Sequence, residues 1–204
     1  MTANDRNTEL NAASLTRALK TLSMRLRVNS SDPVEMVVCG GSALILTGEV
    51  LRTTVDVDIL ALVSRDQLLS PDPMPKSLER AARETAEDLG LPGSWLNNGP
   101  SRGQGGLFQM GLPEGMSERW NSRTFGPQLT VHFIGRIDQI HLKLYAAADR
   151  GGYHIDDLLA LQPKDDELVR AARWAMTHDV SETFQTILTG LLRSIGHDGA
   201  ADRL

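Results

Sequence analysis

The stretch Gly40–Leu60, GGSALILTGEVLRTTVDVDIL, places a glycine pair and a serine ahead of two closely spaced acids. It follows VEMVV at Val34–Val38, where β-branched apolar residues are typical of a buried strand. Ala43–Leu46 predicts a short helix with Ser42 as its N-cap, and Gly48 suits the left-handed residue that ends a helix. The pattern therefore predicts a strand, a glycine turn, a helix and a second strand that carries the acids.

Asp56 and Asp58 lie in the second predicted strand, Val55–Val63. Because side chains alternate across a strand, both acids are expected on one face, about 6–7 Å apart. Two carboxylates this close repel each other unless a cation lies between them. Mg²⁺ suits such oxygen ligands, since it takes one or two carboxylates and completes its shell with phosphates and water. The pattern predicts a Mg²⁺ site, and the alternative is a pair of surface acids.

The segment around Gly40, Gly41 and Ser42 predicts an anion site. Backbone amides at a helix N-terminus bind anions, and glycine lets a phosphate approach the backbone closely. An ordinary tight turn is the alternative for the glycines. Arg52 follows in the same segment, and it either neutralises a phosphate or pairs with one of the two acids.

These residues resemble a known family signature. Similarity to the nucleotidyltransferase-fold superfamily, the polymerase-β-like group, rests on Gly40-Gly41-Ser42 followed by Arg52-x-Thr54-x-Asp56-x-Asp58. The similarity is greatest to small bacterial members found in toxin–antitoxin and abortive-infection systems. Further matching stretches are Trp95-Leu96-Asn97, Lys143 with Asp149-Arg150, and Asp157-Leu158. The resemblance covers roughly residues 34–161.

The resemblance implies a fold and a reaction. The fold is an α+β domain with a mixed sheet flanked by helices. The glycine–serine turn is implied to hold nucleotide phosphates, and the two acids to hold Mg²⁺ for attack on the α-phosphate. The expected activity is Mg²⁺-dependent transfer of a nucleoside monophosphate from a nucleoside triphosphate such as ATP to a hydroxyl of a protein or an RNA. The resemblance also implies a possible toxin–antitoxin partner protein.

Two later positions extend the expected phosphate site. Lys143 is expected to contact phosphate, because its predicted helix gives an inward lysine little other purpose. Arg150 is expected to contact substrate, or else to form a structural salt bridge with Asp157.

One departure from the family pattern concerns catalysis. Active members usually carry a third carboxylate on a later strand, but Leu129–Ile134, LTVHFI, contains no acid. His132 stands in its place, either as a general base or as a structural histidine with satisfied hydrogen bonds. His154 likewise replaces an acid near the end of the pattern. The alternative functions are therefore a decayed nucleotide-binding or protein-interaction module of the same fold, and an interaction protein that binds no nucleotide.

Bulk composition limits the partners. The 204 residues carry a net charge of −5, which argues against a broad basic face for nucleic acid. A locally basic cleft near Arg52, Lys143 and Arg150 would still admit an RNA 3′ end. The single cysteine, Cys39, excludes an internal disulfide and suits a reducing cytosol. No apolar run approaches the length of about 20 residues that spans a bilayer, so a cytoplasmic protein without a membrane partner is expected.

The remaining segments complete an α+β pattern. Predicted helices are 12–26, 77–91, 138–149, 155–161, 165–177 and 181–194, with Ser77 capping the second. Residues 64–76 predict a loop, and 92–128 predict a long irregular segment with a short strand near Leu107–Met110. Trp95 is expected to be a packing anchor, and 196–204 to be frayed. The predicted division is a domain at 1–161, with its core at 34–161, and a helical region at 162–204.

Overall fold

The computed structural model describes residues 9–204. Residues 1–8, which belong to the predicted domain 1–161, lie outside the described part. The strands are β1 Val34–Cys39, β2 Val57–Ser64, β3 Gln67–Leu69, β4 Leu96–Asn97, β5 Asn121–Thr124 and β6 Leu129–Phe133. The helices are α1 Ala12–Val28, α2 Gly40–Thr47, α3 Lys76–Leu89, α4 Leu107–Met110, α5 Met116–Arg119, α6 Arg136–Arg150, α7 Tyr153–Ala160, α8 Asp165–His178, α9 Glu182–Ser194 and α10 Asp198–Ala201.

The strands form one mixed sheet. Their order is β3-β2-β1-β6-β5, and β4 pairs with the first residues of β2. The β1–β6 and β2–β4 pairs are parallel, and the other pairs are antiparallel. The predicted α+β class with a mixed sheet is therefore confirmed. The position of β2 between β1 and the short strands β3 and β4 agrees with its apolar sequence.

One face of the sheet is covered by α1 and α3. Alternate strand residues such as Met36, Val38 and Ile59 share a buried cluster with Leu19 of α1 and Leu78 of α3. Because strand side chains alternate, the other residues of β1, β2 and β6 point to the opposite face. That opposite face carries the candidate functional residues described below.

The helices differ from the predictions mainly at their ends. α3 begins at Lys76 with Pro75 in the N-cap position, so the prediction that Ser77 caps it is wrong. Gly90 ends α3 in the left-handed conformation, one residue before the predicted end at 91. Trp95 is fully buried and its Nε1–H donates to the Ala82 carbonyl at 2.9 Å, which confirms the packing anchor.

Three predictions for irregular segments are wrong. The predicted loop 64–76 contains β3, which pairs with β2. The predicted strand at Leu107–Met110 is the short helix α4. The C-terminal segment is not frayed, because it forms α10 and His197 Nδ1 lies 2.6 Å from the Asp165 carboxylate.

The chain divides into two compact units. The first runs to Leu112 and includes Arg119–Ile134; the second comprises Pro113–Glu118 and Gly135–Leu204. The predicted boundary between residues 161 and 162 lies inside the second unit. Within residues 9–204, none of the helices combines the length and the apolar character needed to cross a bilayer.

Candidate functional site

Three residues form a row across neighbouring strands of the first unit. The strand register places Cys39 of β1 beside Asp58 of β2, and Asp58 beside Asn97 of β4. Register partners share a face of the sheet, so Asp58 stands between a glycine turn on one side and an amide side chain on the other. We call these three neighbouring residues, Cys39, Asp58 and Asn97, the row.

The backbone at Gly40 lies directly against the Asp58 carboxylate. Gly40 has φ +72°, a conformation that favours glycine, and a Cβ at this position would lie 2.8 Å from Asp58 Oδ2. Glycine is therefore required here for two separate reasons, backbone conformation and space. The contact joins the start of α2 to the acidic strand.

The backbone at Gly41 approaches Arg52 in the same way. A Cβ on Gly41 would lie 2.8 Å from Arg52 Nη2 and 3.0 Å from Thr54 Oγ1. Arg52 Nη1 also donates to the Thr53 carbonyl at 2.6 Å, which holds the guanidinium over the glycine. The first turn of α2 therefore has a carboxylate beside one glycine and a guanidinium beside the next.

Ser42 lies in the first turn of α2 and not at its N-cap. The helix begins at Gly40 with Cys39 in the N-cap position, so the prediction that Ser42 caps a helix at 43–46 is wrong. Ser42 is 1% exposed, and its Oγ donates to the Cys39 carbonyl at 3.5 Å. Gly48 ends the helix at φ +84°, as predicted.

Asp56 precedes β2, which begins at Val57. The prediction that both acids alternate within one strand is therefore wrong, and strand geometry fixes only Asp58. The position of Asp56 comes from other side chains. Thr54 Oγ1 donates to Asp56 Oδ1 at 3.4 Å, and Asn97 Nδ2 donates to Asp56 Oδ2 at 3.4 Å.

Asn97 is itself held in one orientation. Its Oδ1 accepts the Gly99 N–H at 2.8 Å, so its amide nitrogen faces the acids. A Cβ on Gly99 would lie 2.8 Å from that same oxygen. The Asn97 side chain therefore connects the loop after β4 to the Asp56 carboxylate.

The loop that carries Arg52 and Asp56 is fixed to the beginning of the described chain. Leu10 and Thr54 exchange two backbone hydrogen bonds, at 2.6 and 3.0 Å. Thr53 Oγ1 also donates to the Glu9 carboxylate at 2.8 Å. Because Leu10 is buried, this bridge anchors the loop to the core. Such an isolated bridge leaves no periodic signal in the sequence.

The donor set at the acids fits Mg²⁺. Among residues 9–204 there is no cluster of three or more histidine, cysteine or acidic side chains that would form an all-protein metal cage. The half-buried carboxylates of Asp56 and Asp58 instead supply hard oxygen ligands. Asp58 lies against the start of α2, and Asp56 is held by Thr54 and Asn97. This matches the usual Mg²⁺ arrangement of one or two carboxylates completed by phosphates and water.

His132 lies on the same face of the sheet but away from the acids. It pairs with Val37, two residues before Cys39, and β6 is two strands from β2. Strand spacing places its backbone about 12 Å from that of Asp58. Ile134 follows β6 directly and lies nearer the row than His132, because its N–H donates to the Val38 carbonyl at 3.2 Å. An apolar residue therefore stands where an acid from β6 would reach the site.

The imidazole of His132 has hydrogen-bond partners at both nitrogens. Nδ1 lies 2.7 Å from Ser122 Oγ, and Nε2 lies 3.3 Å from a Glu35 carboxylate oxygen. Its ring stacks on Trp120 with centroids 4.3 Å apart. These contacts are the geometry expected for a structural histidine.

Lys143 and Arg150 belong to the second unit. Lys143 is buried on α6, and its Nζ donates to Asp157 Oδ2 at 2.6 Å. Arg150 is exposed at the end of α6 and pairs with the neighbouring Asp149 at 3.2 Å. The buried ion pair therefore joins Asp157 to Lys143. His154, at the other departure from the family pattern, is also buried in this unit.

Comparison with protein families gives one match. Residues 15–71 match the family model described as nucleotidyltransferase of unknown function (DUF6036). This segment contains the glycine turn, Arg52 and both acids, so the resemblance inferred from those residues is confirmed. No curated protein and no solved structure matches the chain.

Proposed function

We propose that this protein is a Mg²⁺-dependent nucleotidyltransferase that moves a nucleoside monophosphate from a nucleoside triphosphate to a hydroxyl of a protein or an RNA. The observation that supports it best is the contact between Gly40 and the Asp58 carboxylate. A helix N-terminus attracts phosphate, and a carboxylate pair attracts a divalent cation. Metal-bound nucleoside triphosphate is a ligand that uses both features at once.

Each residue has a defined role in this proposal. The backbone amides of Gly41 and Ser42 bind the β- and γ-phosphates, and the Arg52 guanidinium neutralises part of their charge. Asp56 and Asp58 hold Mg²⁺, which when bound stabilises negative charge on the phosphates and on the departing pyrophosphate. Thr54 is a positioning residue, because its hydroxyl donates to the Asp56 carboxylate.

The test combines binding and turnover. Calorimetry with ATP and Mg²⁺ measures binding, and pyrophosphate release measures the reaction. Asp58→Asn should abolish release while leaving the circular dichroism spectrum unchanged. Asp66→Asn is the matched control, since Asp66 is an exposed acid in the turn after β2. Equal pyrophosphate release by wild type and Asp58→Asn would contradict the proposal.

A nucleotide-binding module with a decayed site is the second candidate. It is favoured by two observations: the apolar residue Ile134 follows β6 near the row, and His132 is held between Ser122 and Glu35. ATP binding without pyrophosphate release supports this candidate. His132→Gln separates the roles of the histidine. A general base would lose most of the turnover on this substitution, whereas a structural histidine would lose stability and keep its turnover per folded molecule.

A further inference from the structure

The first unit contains a cavity of about 450 Å³ beside the row. It lies between β4, the first half of α3 and the loop that precedes α3. Its charged and polar lining consists of Asp72, Glu79, Arg83, Ser94, Asn97, Asn98 and Arg102. Neither the glycine turn nor Asp58 lines it, so the cavity is separate from the phosphate site proposed at Gly41 and Ser42.

One wall of this cavity is fixed by hydrogen bonds. Asn98 is buried, and its Nδ2 donates to the Pro71 carbonyl at 2.9 Å and to Asp72 Oδ1 at 3.3 Å. The other Asp72 oxygen accepts the Gly103 N–H at 2.9 Å. Arg102 Nη2 donates to Asn98 Oδ1 at 3.1 Å, which holds the guanidinium at the wall. The wall is therefore formed before any ligand enters.

Asn97 joins the cavity to the acids. Its side chain lines the cavity and also donates to the Asp56 carboxylate. In the row Cys39–Asp58–Asn97, the glycine turn follows Cys39 on one side, and the cavity adjoins Asn97 on the other. Along the row, the acidic pair therefore has the glycine turn on one side and the edge of the sheet at Asn97 on the other. From this edge the cavity extends toward α3, which covers the other face.

Phosphoryl transfer places the attacking and leaving oxygens roughly in line, on opposite sides of the phosphorus. If the glycine turn holds the leaving pyrophosphate, the acceptor must approach from the flank of Asn97. We propose that this cavity binds the acceptor, and that the acceptor carries a phosphate next to its hydroxyl. This inference rests on the proposed nucleotidyl transfer.

The charges of the lining support a phosphate-bearing acceptor. Arg83 makes no hydrogen bond or ion pair within residues 9–204, so its guanidinium is available to a ligand. Both Asp72 oxygens, in contrast, accept hydrogen bonds from the wall. Arg83 and Arg102 suit a phosphate, and Glu79 suits a hydroxyl donor. A ribose phosphate, whether free or at the end of an RNA chain, presents both groups.

The proposed reaction transfers the nucleoside monophosphate to the acceptor hydroxyl and releases pyrophosphate. The acceptor oxygen forms a bond to the α-phosphorus, and the bond from that phosphorus to the bridging oxygen of pyrophosphate breaks. The hydroxyl proton passes to solvent water, and pyrophosphate leaves on the side of the glycine turn.

The experiment titrates the full chain with ribose 5-phosphate, with ribose and with a short RNA ending in a 3′ hydroxyl, in the presence and absence of Mg²⁺–ATP. Variants are Arg83→Gln and the control Arg80→Gln, which changes the same charge on the same helix outside the cavity. Ribose 5-phosphate should bind more tightly than ribose. Arg83→Gln should lower the affinity for ribose 5-phosphate about tenfold and leave the affinity for Mg²⁺–ATP unchanged. Arg80→Gln should change neither affinity.

The dependence of binding on Arg83 identifies the source of the acceptor phosphate. Arg83-dependent binding of the RNA assigns the phosphate to a nucleic-acid end, whereas dependence seen only with ribose 5-phosphate assigns it to a free metabolite. Absence of binding, binding that ignores Arg83, or displacement of Mg²⁺–ATP by ribose 5-phosphate would overturn it. Because these are binding measurements, they remain decisive for the cavity even if the protein releases no pyrophosphate.

Discussion

Lys143 Nζ lies 2.6 Å from Asp157 Oδ2, and the two side chains are only 6% and 3% exposed. The pair joins α6 to α7 within the second unit. The Tyr153 ring lies 5.7 Å from the ammonium and adds a cation–π contact. A buried pair of this kind is costly to break, because removal of one partner leaves an uncompensated charge in a poorly solvated place.

We expect Lys143→Met and Asp157→Leu to lower the free energy of unfolding by about 3–5 kcal/mol each. The double variant should recover most of that loss, since it leaves no unpaired charge. Urea denaturation measures all three. The control pair is Arg193–Asp202, which is largely exposed, and Asp202→Ala should cost no more than about 1 kcal/mol. Losses below 1 kcal/mol for both buried single variants would contradict this view.

The double variant also tests the phosphate contact that the sequence predicts for Lys143. A lysine that serves only the ion pair leaves Mg²⁺–ATP affinity unchanged in the folded double variant. A phosphate ligand weakens that affinity about tenfold or more when its charge is removed. Calorimetry on the folded protein separates these two roles.

Much of the site follows from sequence because its signals are local. A run of apolar residues before Gly40 predicts β1, and Gly48 predicts the end of α2. The spacing of Asp56 and Asp58 predicts a shared site, although the strand begins only at Val57. Asp56 is placed by Thr54 and Asn97 instead, and contacts between distant segments leave no periodic pattern.

The missed elements have equally specific causes. The β2–β3 hairpin turns at Arg65 and Asp66, both with positive φ, where glycine or asparagine is the usual signal. Leu107–Met110 is too short for its apolar spacing to distinguish a helix from a strand. The C-terminal segment contacts α8 through Arg203, whose Nη1 donates to Asp166 Oδ1 at 2.7 Å, a contact between positions far apart in sequence.

Gly40→Ala should disrupt the site more than Gly48→Ala. Both glycines have positive φ, so both substitutions strain the backbone by about 1–2 kcal/mol. Only at Gly40 does the new Cβ meet the Asp58 carboxylate, whereas Gly48 has open space. We expect Gly40→Ala to lower the free energy of unfolding by about a further 1 kcal/mol. It should also lower the affinity for Mg²⁺–ATP more than about tenfold. Thermal unfolding and calorimetry measure the two effects, and equal behaviour of the two variants would argue against the contact.

Asn97→Ala should weaken Mg²⁺-dependent ATP binding at the two acids without unfolding the protein. The substitution removes the amide that donates to Asp56 at 3.4 Å, a long hydrogen bond to a charged group worth about 1 kcal/mol. We expect a loss of about tenfold in Mg²⁺-dependent ATP binding. Asn121→Ala, an exposed change of the same kind on β5, is the control and should have no effect. Unaltered Mg²⁺ dependence in Asn97→Ala would show that the amide does not position Asp56.

The stability of the second unit should depend on pH through Glu167. Arg136 donates to both Glu167 carboxylate oxygens, at 2.8 and 3.1 Å, and to the carbonyls of Leu161 and Gln162. The hydrogen bond from Arg136 lowers the pKa of Glu167, partly opposed by burial and helped by the Lys164 N–H. A carboxyl whose folded pKa is lowered stabilises the fold above its unfolded pKa and loses that contribution as pH falls through the folded value.

Glu167→Gln should therefore lower the free energy of unfolding by about 1–2 kcal/mol at pH 7. The difference from wild type should begin to close below the ordinary glutamate pKa of about 4.3 and vanish at more acidic pH. Urea denaturation between pH 7 and pH 3 measures it, with Glu87→Gln, a change at an exposed acid in the last turn of α3, as the control. Because protonation of Glu167 releases the Arg136 guanidinium, the junction of α7 and α8 should loosen in the same pH range. A gap between wild type and Glu167→Gln that stays constant down to pH 3 would mean that the carboxylate charge does not stabilise this junction.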